Sequence, residues 1–149
     1  MRSVLYLVAC AALLMAAGCG KKTPYACVPV SGQVAYEDGS IIPADKVRVL
    51  FLSQAKPIDP KTTPKYGRAE ADGNTGTFNF ATTFAYRDGI IVGEHKVILQ
   101  CITKGRLRLD LVPPQYGDKD KTPLRVRSSD SPLVIQVPKP GRLARVTNR

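Results

Sequence analysis

The chain has 149 residues and a formal net charge of +10, and 44% of its residues are hydrophobic. This hydrophobic content excludes an intrinsically disordered chain, and the length suits one domain with one core. An excess of basic over acidic residues often indicates a nucleic-acid partner, but the amino-terminal export signal described next argues against nucleic acid. The positive charge instead predicts nonspecific attraction to anionic envelope polymers or lipid headgroups.

Residues 1–18 have the three parts of an export signal and are predicted to be a lipoprotein signal peptide. Arg2 forms a short positive region, residues 4–17 are apolar or small and carry no charge, and small residues precede Cys19. The apolar run of about 14 residues is shorter than the ~20 residues that span a bilayer as a helix. A permanent transmembrane anchor is therefore not expected.

A lipidation site follows this signal. Residues 14–19, with the sequence Leu-Met-Ala-Ala-Gly-Cys, resemble a bacterial lipobox, in which cleavage before the cysteine precedes acylation of the new terminus. The resemblance implies that Cys19 carries acyl chains such as palmitate, and two or more chains give stable membrane attachment. Ala16 stands where leucine is usual, so an ordinary signal-peptidase cut is the alternative. Gly20 stands where an aspartate would resemble an inner-membrane retention signal, which favours an outer leaflet; the expected location is the outer membrane or a periplasm-facing leaflet. Residues 19–27 are predicted to be a lipidated tether.

Turn signals divide the rest of the chain into short runs. The dipeptide Asp-Gly occurs at residues 38–39, 72–73 and 88–89. It is a strong turn signal because glycine adopts positive φ without steric cost. Prolines within residues 56–65 and at residues 113–114 predict loops, because proline lacks the N–H that a central strand needs.

Residues 28–138 are predicted to form one all-β domain. Between the turns lie short β-prone runs, and helical periodicity is hard to find. The runs expected to form strands are residues 30–36, 46–52, 66–71, 77–82, 93–102, 106–111 and 132–137. About seven short strands with frequent turns are typical of a single antiparallel β-sandwich. Residues 139–149 are predicted to be a disordered basic tail.

Three short motifs resemble carboxypeptidase regulatory-like domains, which have a transthyretin-like (prealbumin-like) sandwich. They are Val-Ser-Gly-Gln-Val at residues 30–34, Gly-Thr-Phe-Asn-Phe at residues 76–80 and Val-Gly-Glu-His-Lys-Val at residues 92–97. In the third motif, Val92 and His95 replace the family's proline and tyrosine. The resemblance covers roughly residues 28–137. It implies a scaffold that accompanies other modules, supports folding or contacts surface polymers, and none of the quoted positions is catalytic in that family.

Cys27 and Cys101 remain after Cys10 leaves with the signal and Cys19 is lipidated. In an exported chain two such cysteines either form a disulfide or stay as unpaired thiols that act as small buried hydrophobes. The residues alone leave both alternatives open.

The chain offers few pieces of a catalytic or metal site. His95 is the single histidine; a neutral imidazole can act as a base or metal ligand, but without a second histidine a strand-surface position is predicted. The carboxylates considered for a glycosidase-like pair or for calcium are Glu94, Asp110, Asp118 and Asp120. The charge-balanced run at residues 118–121 predicts a solvated loop instead, and residues 72–74 lack the downstream glutamate of a calcium loop. P-loop, H-E-x-x-H and G-x-S-x-G motifs are absent from the sequence, so we expect no enzyme activity, metal or cofactor.

The sequence predicts a membrane-anchored envelope lipoprotein whose domain is a non-enzymatic structural or protein-interaction module. A carbohydrate-binding module at the cell surface is the first alternative, because loop tyrosines can stack on sugar rings. The tyrosines considered for ligand contact are Tyr66, Tyr86 and Tyr116. An accessory subunit of an envelope enzyme or transporter is the second alternative. The expected partners are a membrane, reached through the lipid, and an envelope protein or polysaccharide, with no nucleic acid.

Overall fold

The structure is a computed structural model that describes residues 22–141. Its regular structure is almost entirely β-strand, so the all-β prediction is confirmed. The strands are β1 (Cys27–Val28), β2 (Gly32–Tyr36), β3 (Lys46–Ser53), β4 (Gly67–Asp72), β5 (Thr77–Phe78), β6 (Ile90–Ile91), β7 (Glu94–Thr103), β8 (Arg106–Arg108), β9 (Arg125–Arg127) and β10 (Leu133–Val137). Short 3-10 helices cover Pro114–Gly117 and Ser128–Asp130. The predicted signal peptide, Cys19 and residues 142–149 lie outside the described residues.

The described residues form ten strands where about seven were predicted, because three short strands escape the sequence pattern. Strands β1 and β6 have two residues each, and β9 has three. Segments this short show no detectable alternation and are strands only because a partner strand lies beside them. The runs at residues 77–82 and 106–111 do contain β5 and β8, but both strands end earlier than predicted.

One sheet has five strands and is antiparallel. Its order is β4-β3-β7-β8, and β9 pairs with the other end of β7 on the same edge as β8. The longest pairing joins β3 to β7, from Lys46 opposite Ile102 to Ser53 opposite His95. These two long strands form the centre of the sheet, and β4 forms its other edge.

The second sheet has three strands in the order β10-β2-β5. Strand β5 is antiparallel to β2, whereas β10 pairs with β2 in parallel, an exception to the expected antiparallel pairing. Parallel neighbours need a long crossover connection, and the chain between β2 and β10 passes through the whole five-stranded sheet. A two-stranded ribbon of β1 and β6 completes the architecture.

The hydrophobic core lies between the two larger sheets. Alternate residues of β3, β7 and β10 are buried, as expected for strands with one face turned inwards. The Phe51 ring of β3 packs against the Phe78 ring of β5, with 6.1 Å between ring centroids, and so joins the two sheets. Each buried valine, leucine or phenylalanine contributes about 1.5–3 kcal/mol relative to exposure.

Both ends of the domain extend further than the sequence suggested. Tyr25, within the segment predicted to be a tether, is buried, and its hydroxyl donates a hydrogen bond to the Thr62 carbonyl oxygen at 3.0 Å. Lys139, within the segment predicted to be a tail, also contacts the domain. Lys139 forms an ion pair with Asp38, and its ammonium lies over the Tyr36 ring.

Candidate ligand-binding groove

A groove of about 800 Å³ opens at the β4 edge of the five-stranded sheet. One wall consists of residues 63–66 and of the first half of β4, residues 68–70. The opposite wall belongs to residues 79–89, which connect β5 to β6 and are called the groove loop below. The groove-loop side chains that line it are Phe80, Thr82, Thr83 and Tyr86. We call this feature the aromatic groove.

Two of the three tyrosines predicted to contact a ligand lie in this groove. Tyr66 is 62% exposed on one wall, and Tyr86 is 75% exposed on the other. The Phe80 ring meets the Tyr86 ring edge-on, with 5.5 Å between centroids. The guanidinium of Arg87 lies over both rings, at 4.3 Å from Phe80 and 5.1 Å from Tyr86. The result is an exposed aromatic surface with a cation against it.

The third tyrosine, Tyr116, does not contribute to any such surface, and its predicted role is corrected. It is 9% exposed and belongs to the hydrophobic core. The 3-10 helix Pro114–Gly117 turns the ring inwards, where it covers the core beside β7. Its position in a proline-rich loop predicted that Tyr116 is exposed. In the structure the ring instead packs into the hydrophobic core.

The groove loop is shaped by the carboxylate of Asp88. The backbone N–H groups of Thr83, Phe84 and Ala85 donate hydrogen bonds to it at 2.7, 2.9 and 3.0 Å. Partial burial opposes ionisation of Asp88, but these backbone donors outweigh burial and lower its pKa. The carboxylate therefore stays charged near neutral pH and holds the loop in one conformation.

Backbone conformation adds to this constraint. Arg87 has a φ of 63°, in the left-handed region that few non-glycine residues adopt. Its N–H donates to the Thr82 hydroxyl at 3.0 Å. Gly89 has a φ of 91°, and a Cβ there would lie 1.8 Å from the Val28 carbonyl oxygen. Glycine is therefore required where the loop passes against β1.

Hydrogen bonds and stacked rings join the two walls. The backbone of Arg68 in β4 exchanges two hydrogen bonds with Thr82, each of 2.9 Å. Beneath the loop, the ring of Phe84 stacks on Tyr25 at 6.3 Å, with 6° between the ring planes. The Lys65 ammonium lies 5.5 Å from the centroid of the same Phe84 ring. The groove is thus a preformed feature of the folded domain.

Glu70 supplies the carboxylate of the β4 wall, and three cations surround it. Lys46, Arg48 and Arg68 approach its oxygens at 3.0, 3.4 and 2.7 Å. The hydrogen bond from Lys46, with that from Arg68, lowers the pKa of Glu70 to about 2. Because the carboxylate is always ionised near neutral pH, it is poorly suited to general acid catalysis.

His95 is buried, so the prediction of a strand-surface position was wrong. It is 0% exposed, and its ring meets Phe51 edge-on at 6.2 Å. Nδ1 lies 3.2 Å from the Gly93 carbonyl oxygen, and Nε2 has no hydrogen-bond partner among the described residues. Burial lowers the pKa of His95, which favours the neutral ring. The alternation of β7 indicated this position, since residues 97, 99 and 101 share the inward face with residue 95.

The other carboxylates that were considered do not come together in one catalytic or metal site. Asp110 pairs with Arg108 at 2.6 Å, and Asp118 pairs with Lys121 at 3.6 Å. The Asp72 carboxylate accepts the N–H of Asn74 at 2.8 Å, which makes an ordinary turn. Among residues 22–141 no group of three or more histidine, cysteine, aspartate or glutamate side chains could hold a metal ion.

Both cysteines are free thiols in the structure, so the predicted alternative of a disulfide between them is not adopted. Cys27 is half-buried in β1 beside Asp88 and Thr83, whereas Cys101 is buried in β7. Burial raises the pKa of each thiol to about 11. Thiols with such values stay protonated near neutral pH and are poor nucleophiles.

Comparison of the chain with family models, with curated proteins and with solved structures finds no match in any of the three. The resemblance to carboxypeptidase regulatory-like domains therefore stays a prediction from motifs. Within residues 22–141 no helix is long and apolar enough to cross a bilayer.

Proposed function

We propose that this protein is a lipid-anchored envelope protein whose β-sandwich is a non-enzymatic binding module, with the aromatic groove as its binding surface. The observation that carries the proposal is the exposure of Tyr66 and Tyr86 on the two walls of one groove. Exposed aromatic rings that lie together are typical of binding surfaces, because each ring offers apolar area and a polar tip.

The rigidity of the groove loop supports a binding role. Asp88 holds three consecutive backbone N–H groups, and Arg68 pairs with Thr82 across the base of the groove. A loop that is already ordered loses little conformational entropy when a ligand binds. The exposed rings are therefore presented in a fixed arrangement at low entropic cost.

The chemistry of the groove favours binding over catalysis. Its carboxylate, Glu70, is neutralised by neighbouring cations. The single histidine of the chain, His95, lies in the core, and neither Cys27 nor Cys101 lines the groove. A nucleophile with an activating base, which enzymatic group transfer needs, is not found among the groove-lining residues.

The proposed anchor places the groove close to the membrane. Tyr25 follows Cys19 by six residues, which span at most about 20 Å of extended backbone. Because Tyr25 stacks on Phe84 of the groove loop, lipid on Cys19 would tether the groove near the headgroups. The nearest ligands are then components of the cell's own envelope.

Two measurements test the proposal. Mass spectrometry of the mature amino terminus should show an acylated Cys19 in the wild-type chain and no acylation in Cys19→Ser; an unacylated wild-type terminus overturns the anchor. Co-sedimentation with the isolated envelope fraction of the source cells is measured in the Cys19→Ser chain, because the lipid alone would attach the wild type to membranes. In that background Tyr86→Ala should lower co-sedimentation at least ~10-fold, because a central aromatic contact contributes a large share of binding energy.

Leu109→Ala is the matched control for the binding assay. Leu109 is 74% exposed, close to the exposure of Tyr86, and it does not line the groove. Co-sedimentation should be unchanged in this variant. Equal envelope binding by Cys19→Ser alone, by Cys19→Ser with Tyr86→Ala and by Cys19→Ser with Leu109→Ala would show that the groove is not the binding surface.

A further inference from the structure

Two exposed cations have no acidic partner: Lys65, which lines the aromatic groove, and Arg87, which lies beside it on the groove loop. Among residues 22–141 neither Lys65 nor Arg87 forms an ion pair; Lys65 lies over Phe84, and Arg87 lies over Phe80 and Tyr86. Both side chains are exposed. They are therefore available to a ligand anion beside the rings that would stack on the ligand.

The carboxylates near the groove are already engaged. Glu70 faces Lys46, Arg48 and Arg68, so that cluster retains an excess of positive charge. Asp88 accepts three backbone N–H groups of its own loop. The groove thus presents exposed rings and net positive charge to a ligand, while its own carboxylates are satisfied from within the protein.

We infer that the aromatic groove binds an acidic polysaccharide, a sugar chain in which some rings carry a carboxylate. This inference rests on the proposed function, which makes the groove the binding surface. A sugar ring has an apolar C–H face that stacks on Tyr66 or Tyr86 and a polar rim that hydrogen-bonds. Its carboxylate would meet the guanidinium of Arg87 or the ammonium of Lys65, and a guanidinium binds a carboxylate through two parallel hydrogen bonds.

A peptide fits the groove less well. Peptides often bind a sheet by adding a strand to an open edge. At Arg68 the backbone of the β4 edge is already paired with Thr82 on both its N–H and its carbonyl oxygen. Recognition in this part of the groove therefore depends on side chains, which suits a ligand of rings and carboxylates.

Single-stranded nucleic acid shares the chemistry of stacking rings and negative charge. The predicted export signal and the short reach from Cys19 to Tyr25 favour a polymer of the envelope instead. An oligodeoxythymidylate therefore belongs in the test as a competitor rather than in the proposal.

The experiment uses the full chain in detergent and calorimetric titration with oligosaccharides of galacturonate, alginate and hyaluronan. Fully methyl-esterified oligogalacturonate is the matched neutral probe, because it keeps the sugar backbone and removes the charge. We expect at least one acidic oligosaccharide to bind, and the free galacturonate form to bind at least ~10-fold tighter than its ester if galacturonate is a ligand. For alginate or hyaluronan, the matched neutral probe is the carboxyl-esterified form of the same oligosaccharide.

Two variants separate stacking from charge recognition. Tyr86→Ala should weaken binding of the acidic and the neutral form alike, at least ~10-fold for a central aromatic contact. Arg87→Asn removes the charge and tolerates the positive φ of this position, so it should reduce the preference for the acidic form to within about 2-fold. Lys61→Gln, an exposed lysine outside the groove, should change neither value.

The outcomes distinguish this inference from the proposed function. If acidic and esterified forms bind equally, and Tyr86→Ala abolishes both, the groove binds neutral sugars and the inference is overturned. If no acidic oligosaccharide binds, or if oligodeoxythymidylate binds tighter than all of them, the inference also fails, while envelope co-sedimentation that depends on Tyr86 keeps the proposed function. Sugar binding that is unchanged in Tyr86→Ala overturns both.

Discussion

The groove loop, residues 79–89, and the connection between β8 and β9, residues 109–124, are built from similar parts. Each has a tyrosine and an aspartate whose carboxylate accepts backbone N–H donors of the same segment, three for Asp88 and one for Asp118. Tyr86 of the groove loop is 75% exposed, whereas Tyr116 of the second connection is 9% exposed. We call residues 109–124 the Tyr116 segment.

The difference follows from what lies beneath each tyrosine. The Tyr116 segment is attached to the central sheet, where the Thr122 hydroxyl donates to the Val97 carbonyl oxygen at 2.6 Å. It crosses an open end of the core, which Tyr116 covers. Beneath the groove loop, Phe84 and Tyr25 already fill that position by stacking on each other. Tyr86 is left outside, so one tyrosine stabilises the fold and the other is available for binding.

The largest expected effect is a loss of stability when Tyr116 is removed, and the comparison of the two tyrosines is wrong if that loss is not found. Tyr116→Ala should lower the free energy of unfolding by about 3 kcal/mol, as removal of a buried ring leaves a cavity. Tyr86→Ala should change it by less than about 1 kcal/mol, because the ring is exposed. Urea denaturation followed by circular dichroism measures both, and equal losses in the two variants would contradict the assignment of the two tyrosines.

The second prediction concerns the aspartate of each segment. Asp88→Asn should cost about 2 kcal/mol, because a charged acceptor of three backbone hydrogen bonds becomes neutral. It should also weaken ligand binding at the aromatic groove by loosening the loop. Asp118→Asn is the matched control and should cost under about 1 kcal/mol, because Asp118 holds fewer backbone donors.

As pH falls, the stability of the core should decrease at a higher pH than the stability of the groove loop. Burial lowers the pKa of His95 below the usual histidine value of 6.5, so the unfolded chain takes up a proton there first, and the free energy of unfolding falls as pH drops below 6.5. The slope is at most about 1.4 kcal/mol per pH unit for one proton. The pKa of Asp88 is also lowered, so its contribution to stability is present above the usual aspartate value of 3.8 and is lost as pH falls further below it.

Urea denaturation at pH 7.5 and 5.5 measures the His95 effect. His95→Phe is the control, because a phenylalanine ring can keep the contact with Phe51 and does not titrate. The variant should show a smaller loss between these two pH values than the wild type. A loss of the same size in both proteins would assign the pH dependence to other groups.

The smallest expected effect is at the charged wall of the groove. Glu70→Gln should change the free energy of unfolding by at most about 1 kcal/mol, because its ion pairs are partly exposed to solvent. Thermal unfolding at low and high salt checks this value. A larger loss would mean that the charges of the groove hold the fold together, in contrast with the role assigned to the groove loop.

Part of this comparison was predictable from the sequence. Val97 and Leu99 lie on the inward face of β7, as its alternation predicted. The same alternation places His95 inward, although its polar side chain suggested the surface. The alternation of residues 77–82 predicted that Phe78 and Phe80 are both buried; Phe78 is, but Phe80 is exposed because β5 ends at Phe78. Tyr66 and Tyr86 were predicted to be exposed in loops and do line the groove.

The remaining features depend on contacts that local sequence does not show. Strands β1 and β6 pair across the entry of the groove loop, from Cys27 opposite Ile91 to Val28 opposite Ile90. Two residues carry no periodic signal, so neither strand was predicted. The parallel pairing of β10 with β2 joins segments about 100 residues apart and likewise follows from the packing of the whole chain.

The sequence by itself determined that this protein is all-β, where its longer strands lie and where its aspartate-glycine turns lie, because alternation and turn chemistry are local properties. Tertiary structure alone decided which tyrosine covers the core and which faces the solvent. The physical reason is that burial depends on what fills the space beneath a side chain. Tyr25 and Phe84 fill that space under the groove loop, whereas in the other connection Tyr116 itself packs into the core.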